Sequence, residues 1–214
     1  NNPFQKNPIH LIMKFNTELF EKAPVIGIMR NINEETVKSL LPVYFKSGFN
    51  SVEITMNSPR AAEIIQNSVK DFPQMNIGAG TVCTMEELDL ACNSGASFIV
   101  SPILSSEIIK KSIERKVAVF PGALTPSEIF KAHTLGATAV KVFPITSFGP
   151  KYVKDLMAPL NNIKLIPVGG VSKDNIKAFF ESGSYGVGMG SSLFSKDLIS
   201  NFSIEKLTHH FRSI

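Results

Sequence analysis

The chain has 214 residues, 43% of them hydrophobic, and a net charge of +4 from 22 Lys and Arg against 18 Asp and Glu. That length suffices for one large domain with a well-buried core, and no apolar run reaches the ~18 residues that span a bilayer. The positive charges are scattered, the longest run being Lys110-Lys111, which argues against a nucleic-acid-binding stripe and suits small anionic substrates.

Residues 1–10 carry one lysine and no apolar block, so no secretory signal is expected there. Residues 1–14 are read as a disordered or cloning-derived start, and 15–214 as a single folded domain. A short helix over residues 15–22 is expected to cover one end of the core. Strand 25–30 is apolar until Arg30. Asn33 then suits an N-cap and Glu34 and Glu35 a first helical turn. Val37, Leu40, Leu41 and Tyr44 keep helical spacing, with Pro42 expected to kink the helix and Gly48 to end it.

The same pattern recurs along the rest of the chain. Strand 51–56 precedes helix 59–71, strand 76–80 precedes 85–93, strand 98–101 precedes 105–115, and strand 118–121 precedes 126–134. Strand 139–143 precedes a helix near 151–156, strand 164–168 precedes 173–181, and strand 185–189 precedes a last helix at 204–211. Gly48, Gly95, Gly136 and Gly183 close helices at near-even intervals, each interval holding two strand–helix units. Alternating strands and helices imply a parallel sheet with right-handed crossovers. Eight such units predict a single-domain α/β fold, the (β/α)8 TIM barrel. The alternative is an open doubly wound sheet, for which no G-x-G-x-x-G follows the first strand.

In such a barrel the strand C-termini carry the chemistry. Side chains alternate across a strand, so Ala139, Lys141 and Phe143 share one face and Val140 and Val142 the other. Glu53 stands between Val52 and Ile54 in the same way. Each is a lone charge expected to face the lumen. A dry lumen favours the neutral amine, and a neutral lysine can form a Schiff base with a ketone. A carboxyl beside it can move protons. Read as a purely structural ion pair, the two would offer little over apolar packing. Phe143 is expected to wall the lysine in. Gly169-Gly170 and Gly190-Ser191, after strands seven and eight, suit a phosphate held by backbone N–H groups. Arg30 suits a carboxylate. Thr81 is read either as a site hydroxyl or as a helix N-cap, and Asn57-Ser58-Pro59 as a possible helix start. His10, His133, His209 and His210 lie away from strand ends, so no metal site is expected. Cys83 and Cys92, with no C-x-x-C pair, are expected to be core thiols in a reducing cytoplasm.

V-E-I-T-M, G-A-G-T-V, I-V-S-P, P-G-A-L-T-P, V-K-V-F-P and P-V-G-G-V stand in this order over roughly residues 25–193. Together they resemble the bacterial 2-keto-3-deoxy-6-phosphogluconate aldolase family, which includes 4-hydroxy-2-oxoglutarate and 2-keto-3-deoxy-6-phosphogalactonate aldolases. The resemblance implies a class I aldolase, free of metal and other cofactors, acting as a cytoplasmic homotrimer with no nucleic-acid or membrane partner. Its products would be pyruvate and glyceraldehyde 3-phosphate. Carried over, Lys141 matches the Schiff-base lysine, Glu53 the general acid/base, and Thr81 and Pro102 the pyruvate pocket. Gly169, Gly170, Gly190 and Ser191 match the phosphate site. Asn57 stands where many gluconate-type members have Arg, which leaves the carboxylate to Arg30. Val168 stands where gluconate-type members have Thr and some galactonate-type members Val, so it is expected to set selectivity at C4. The rival readings are another phosphate-binding barrel enzyme, an epimerase or a synthase, and a non-catalytic sugar-phosphate-binding barrel.

Overall fold

A computed structural model describes residues 14–214. The start expected over 1–14 therefore lies outside the described residues, apart from Lys14, as does His10. Helix α1 (Thr17–Lys22) leads into strand β1 (Val25–Met29), α2 (Glu34–Lys46), β2 (Ser51–Thr55) and α3 (Ala61–Asp71). Next come β3 (Asn76–Gly80), α4 (Met85–Asn93), β4 (Phe98–Val100), α5 (Ser106–Glu114), β5 (Ala118–Phe120) and β6 (Gly122–Ala123). The chain closes with α6 (Pro126–Thr134), β7 (Val140–Val142), α7 (Gly149–Met157), β8 (Leu165–Pro167), α8 (Ile176–Glu181), β9 (Val187–Met189), α9 (Lys196–Ser200) and α10 (Ile204–Arg212). Among the described residues, no helix is long and apolar enough to cross a membrane.

All the strand pairs are parallel. They form a six-stranded sheet, β5-β4-β3-β2-β1-β9, and a three-stranded sheet, β6-β7-β8. One parallel bridge, Val168 to Gly188, links the end of β8 to β9. The expected strand 118–121 is β5, and a second short strand, β6, follows directly after Pro121. Pro121 has no N–H to donate, although its carbonyl accepts the Lys141 N–H at 2.9 Å. The result is a curled parallel α/β sheet rather than one unbroken ladder.

Burial follows the alternation. Val52, Ile54, Val140, Val142 and Leu165 pack into the larger core under the helices, while Ile26, Ala139, Ile166 and Val168 join Phe98 and Phe120 in an inner cluster. Phe15 closes that cluster, its ring 5.3–5.5 Å from those of Phe20, Phe98 and Phe120. Asn76 holds α1 in place: its Oδ1 accepts the Asn16 N–H at 2.8 Å and its Nδ2 donates to the Asn16 carbonyl at 3.0 Å. The short first helix therefore covers one end of the inner core, as its sequence suggests.

Local signals place most helix ends. Capping boxes Thr84/Glu87 and Thr125/Glu128 open α4 and α6, each cap contributing on the order of 1 kcal/mol. Gly48, Gly95, Gly136 and Gly183 all adopt left-handed φ, +84° to +105°, just past a helix, the conformation that a C′ glycine supplies at least cost. α2 contains Pro42 within one helix, Glu34–Lys46. Three expectations need correction. α3 begins at Ala61 rather than 59, with Arg60 left-handed at φ 56° while its guanidinium reaches Glu63 and Glu34. α8 begins at Ile176 rather than 173, because Asn175 ties up the preceding turn. α9 was not expected.

Candidate active site

β2 and β7 each deliver one charge to the inner face. Glu53 is paired in register with Ile28 of β1 and Gly78 of β3 and is 1% exposed. Its Oε1 has no hydrogen-bond partner among the described residues. Lys141, paired with Gly122 and Ile166, is 3% exposed, and its Nζ lies 5.0 Å from the Phe143 ring centroid.

Burial decides the electrostatics. It pushes the Glu53 carboxyl above the usual carboxylate range, against a smaller opposing pull from Lys141 and Arg30. It holds the Lys141 amine below its ordinary value; Arg30 adds to that effect, while Glu53 and Cys83 oppose it. A stable ion pair would move both groups the other way. The desolvated site instead favours a proton-bearing acid and a neutral amine, the forms that acid catalysis and nucleophilic attack need.

Beside this pair opens a cavity of about 870 Å³. Seven residues expected at the site line it: Arg30, Phe143, Val168, Gly169, Gly170, Gly190 and Ser191. Phe143 belongs both to the cavity wall and to the surroundings of Lys141. Arg30 and Lys196 are the charged lining residues and no acid faces the space, so the cavity favours an anion. Gly169 and Gly170 take φ of 110° and 70° and turn against Thr146, whose Oγ1 would lie 2.9 Å from a Cβ placed at Gly169. The Asn175 Nδ2 donates to the Gly170 carbonyl at 2.9 Å, and the Ser192 Oγ donates to the Val171 carbonyl at 2.5 Å. The first braces the loop after β8, and the second ties that loop to the one after β9.

Other expected residues lie apart from that lining. Thr81 is half-buried with a left-handed φ of 57°, and the cap of α4 comes from Thr84 instead. Pro102 is half-buried and Asn57 exposed. Asn57 does not start a helix either, since α3 opens four residues later. Cys83 is partly exposed rather than a core thiol, Cys92 is buried, and both are free. No group of three potential metal ligands occurs among the described residues. Sequence reasoning missed Lys196, Thr146, Ser172 and Ser192. It also missed Asn31, left-handed at φ 54°, whose N–H donates to the buried Ser58 Oγ at 2.8 Å. Only Ser192, adjoining Ser191, carried a local signal.

Residues 17–210 match the family model "Aldolase: KDPG and KHG aldolase". The chain is 37% identical over 175 residues to the 2-dehydro-3-deoxy-6-phosphogalactonate aldolase of Escherichia coli K12, covering 81% of this chain and 85% of that protein. It is 30% identical over 198 residues to the 2-dehydro-3-deoxy-phosphogluconate aldolase of Haemophilus influenzae Rd, covering 92% and 93%. The solved structure "Native KDPGal structure" superposes with a TM-score of 0.84 at 33% identity, over 94% of this chain and 95% of that one.

Proposed function

We propose that this chain, which belongs to the KDPG and KHG aldolase family, is a class I aldolase. It cleaves a 2-keto-3-deoxy-6-phospho sugar acid, gluconate- or galactonate-type, to pyruvate and glyceraldehyde 3-phosphate, with 4-hydroxy-2-oxoglutarate as a further substrate. The observation that carries the reading is the buried pair of lone charges, Lys141 and Glu53, each driven toward its neutral form.

In this mechanism the Lys141 amine adds to the C2 ketone, and loss of water from the carbinolamine gives an iminium. Glu53 gives its proton to the departing hydroxyl in that dehydration, and the carboxylate so formed takes the proton of the C4 hydroxyl through a water. The C3–C4 bond breaks, its electron pair passes into the enamine, and C4 leaves as the aldehyde of glyceraldehyde 3-phosphate. Protonation of the enamine at C3 and hydrolysis of the iminium release pyruvate and restore the amine. Phe143, Thr81 and Pro102 form the pyruvate pocket, with Asn57 at its edge. Arg30 binds the carboxylate, Val168 faces C4, and Gly169, Gly170, Gly190 and Ser191 cradle the phosphate. The acid-free lining with Arg30 and Lys196 supports the anionic end of this assignment.

The same reading makes residues 15–214 one (β/α)8 barrel in which β5 and β6 are a single strand interrupted at Pro121. The Lys141 N–H to Pro121 carbonyl bond, the Tyr185 N–H to Leu165 carbonyl bond at 2.9 Å and the Val168–Gly188 bridge support that closure. It also carries the cytoplasmic homotrimer, working without metal or cofactor, with no nucleic-acid or membrane partner.

Pyruvate with borohydride tests the chemistry. The expected result is a reduced adduct mapped by mass to Lys141. An adduct at another residue, or none, sinks the mechanism and leaves the epimerase, synthase and binding-protein readings.

A further inference from the structure

β3 presents two glycines to the inner face, Gly78 and Gly80, while Ala79 between them packs outward in the larger core. Each leaves a void that a neighbour fills. A Cβ at Gly78 would meet the Phe98 ring at 2.5 Å; a Cβ at Gly80 would lie 2.3 Å from Glu53 Oε1 and 2.6 Å from its Cδ. Real Cβ atoms essentially never approach within 3.0 Å. Neither glycine is needed for backbone freedom, because both take negative or extended φ. The strand has little room to yield: Gly80 pairs in register with Thr55, and its carbonyl accepts the Met56 N–H at 2.7 Å. Nor does a hydrogen bond from the described residues hold Glu53 Oε1.

We propose that Gly80 is a positioning residue for Glu53: the bare backbone at Gly80 is the slot that seats the Glu53 carboxyl, so shape rather than a protein hydrogen bond sets where the proton-transfer group stands. This rests on the reading of Glu53 as the general acid/base. It makes the glycine a requirement of the site rather than of the strand. A methyl there evicts the carboxyl from a dry slot that it shares electrostatically with Lys141 and Arg30.

Gly80→Ala is the test. Turnover is expected to fall roughly 10²-fold, the scale of general acid–base catalysis, with KM changed less than about threefold and pyruvate still trapped by borohydride on Lys141. The pH–rate limb belonging to Glu53 should move to lower pH, since the displaced carboxyl regains water. Adding Glu53→Asp, one methylene shorter, should recover about tenfold of the turnover lost in Gly80→Ala. If Gly80→Ala itself folds poorly, the pair Glu53→Ala and Glu53→Ala/Gly80→Ala decides. With the carboxyl gone the two should melt together, the non-additivity expected of groups in contact. Unchanged turnover in Gly80→Ala, an unmoved pH limb, no recovery with Asp, or a double variant melting well below Glu53→Ala would each overturn the proposal. Failure of the underlying reading shows separately, as unchanged turnover in Glu53→Gln.

Discussion

The Lys141 ammonium position lies 5.0 Å from the Phe143 ring centroid, and the two residues leave the sheet on the same face. The ring lines the cavity while the amine is 3% exposed. Phe143 therefore borders both the open space and the amine. A charged amine over an aromatic face gains some cation–π energy, but burial is the larger influence on this lysine and favours its neutral form.

Replacing Phe143 by Ala should admit water to Lys141 and let its pKa rise toward the ordinary value of 10.5. Less amine is then neutral at pH 7, so turnover near neutrality falls and recovers as the pH is raised. The measurement is the pH profile of turnover together with the rate of borohydride trapping. A profile that only scales down, with no shift toward higher pH, would show that Phe143 does not control the amine.

Glu53→Gln keeps the volume and removes the proton transfer, and kcat should fall by roughly 10²–10⁴. A change of less than about threefold would exclude Glu53 as the acid/base. The variant also has a signature in stability. A carboxyl whose folded pKa is raised contributes stability fully present below its unfolded value, 4.5, and lost as the pH rises through the folded value. Lys141, depressed in the fold, gives the opposite slope up to 10.5. Wild type should therefore lose stability as the pH rises from 4.5, and Glu53→Gln should not. Equal slopes in denaturant melts across that range would refute the burial argument.

Val168 is 7% exposed and lines the cavity. Its N–H donates to the Val142 carbonyl and its carbonyl accepts the Ile145 N–H, both at 3.0 Å. Its Cγ2 would lie 2.6 Å from a Cβ at Gly188. On the proposed assignment, it offers C4 of the substrate a methyl where Thr would offer a hydroxyl. An apolar wall rejects an extra hydroxyl only weakly, so both C4 epimers should be cleaved with kcat/KM within about 100-fold of each other. Val168→Thr should raise the gluconate-to-galactonate ratio about tenfold, roughly one neutral hydrogen bond. A wild type more than about 1000-fold selective for the gluconate epimer would show that this position does not set the preference.

Alternation alone determined which way Lys141 and Glu53 point, because a strand has a period of two and both lie between residues that the helices bury. The four helix-closing glycines were legible for the same reason, since a glycine just past a helix acts within a few residues. Tertiary structure decided the rest. The break at Pro121 appears only once β4 and β7 pair on either side of it. Lys196 reaches the cavity and Thr146 packs against Gly169 and Gly170 from segments with no local marker, and the exposure of Asn57 and the partial exposure of Cys83 follow from packing that their neighbours in sequence do not reveal. Gly80 shows the limit most plainly. A glycine reads as an absence of side chain, and what fills that absence, the carboxyl of Glu53 on the adjoining strand, depends on register between residues far apart in the chain.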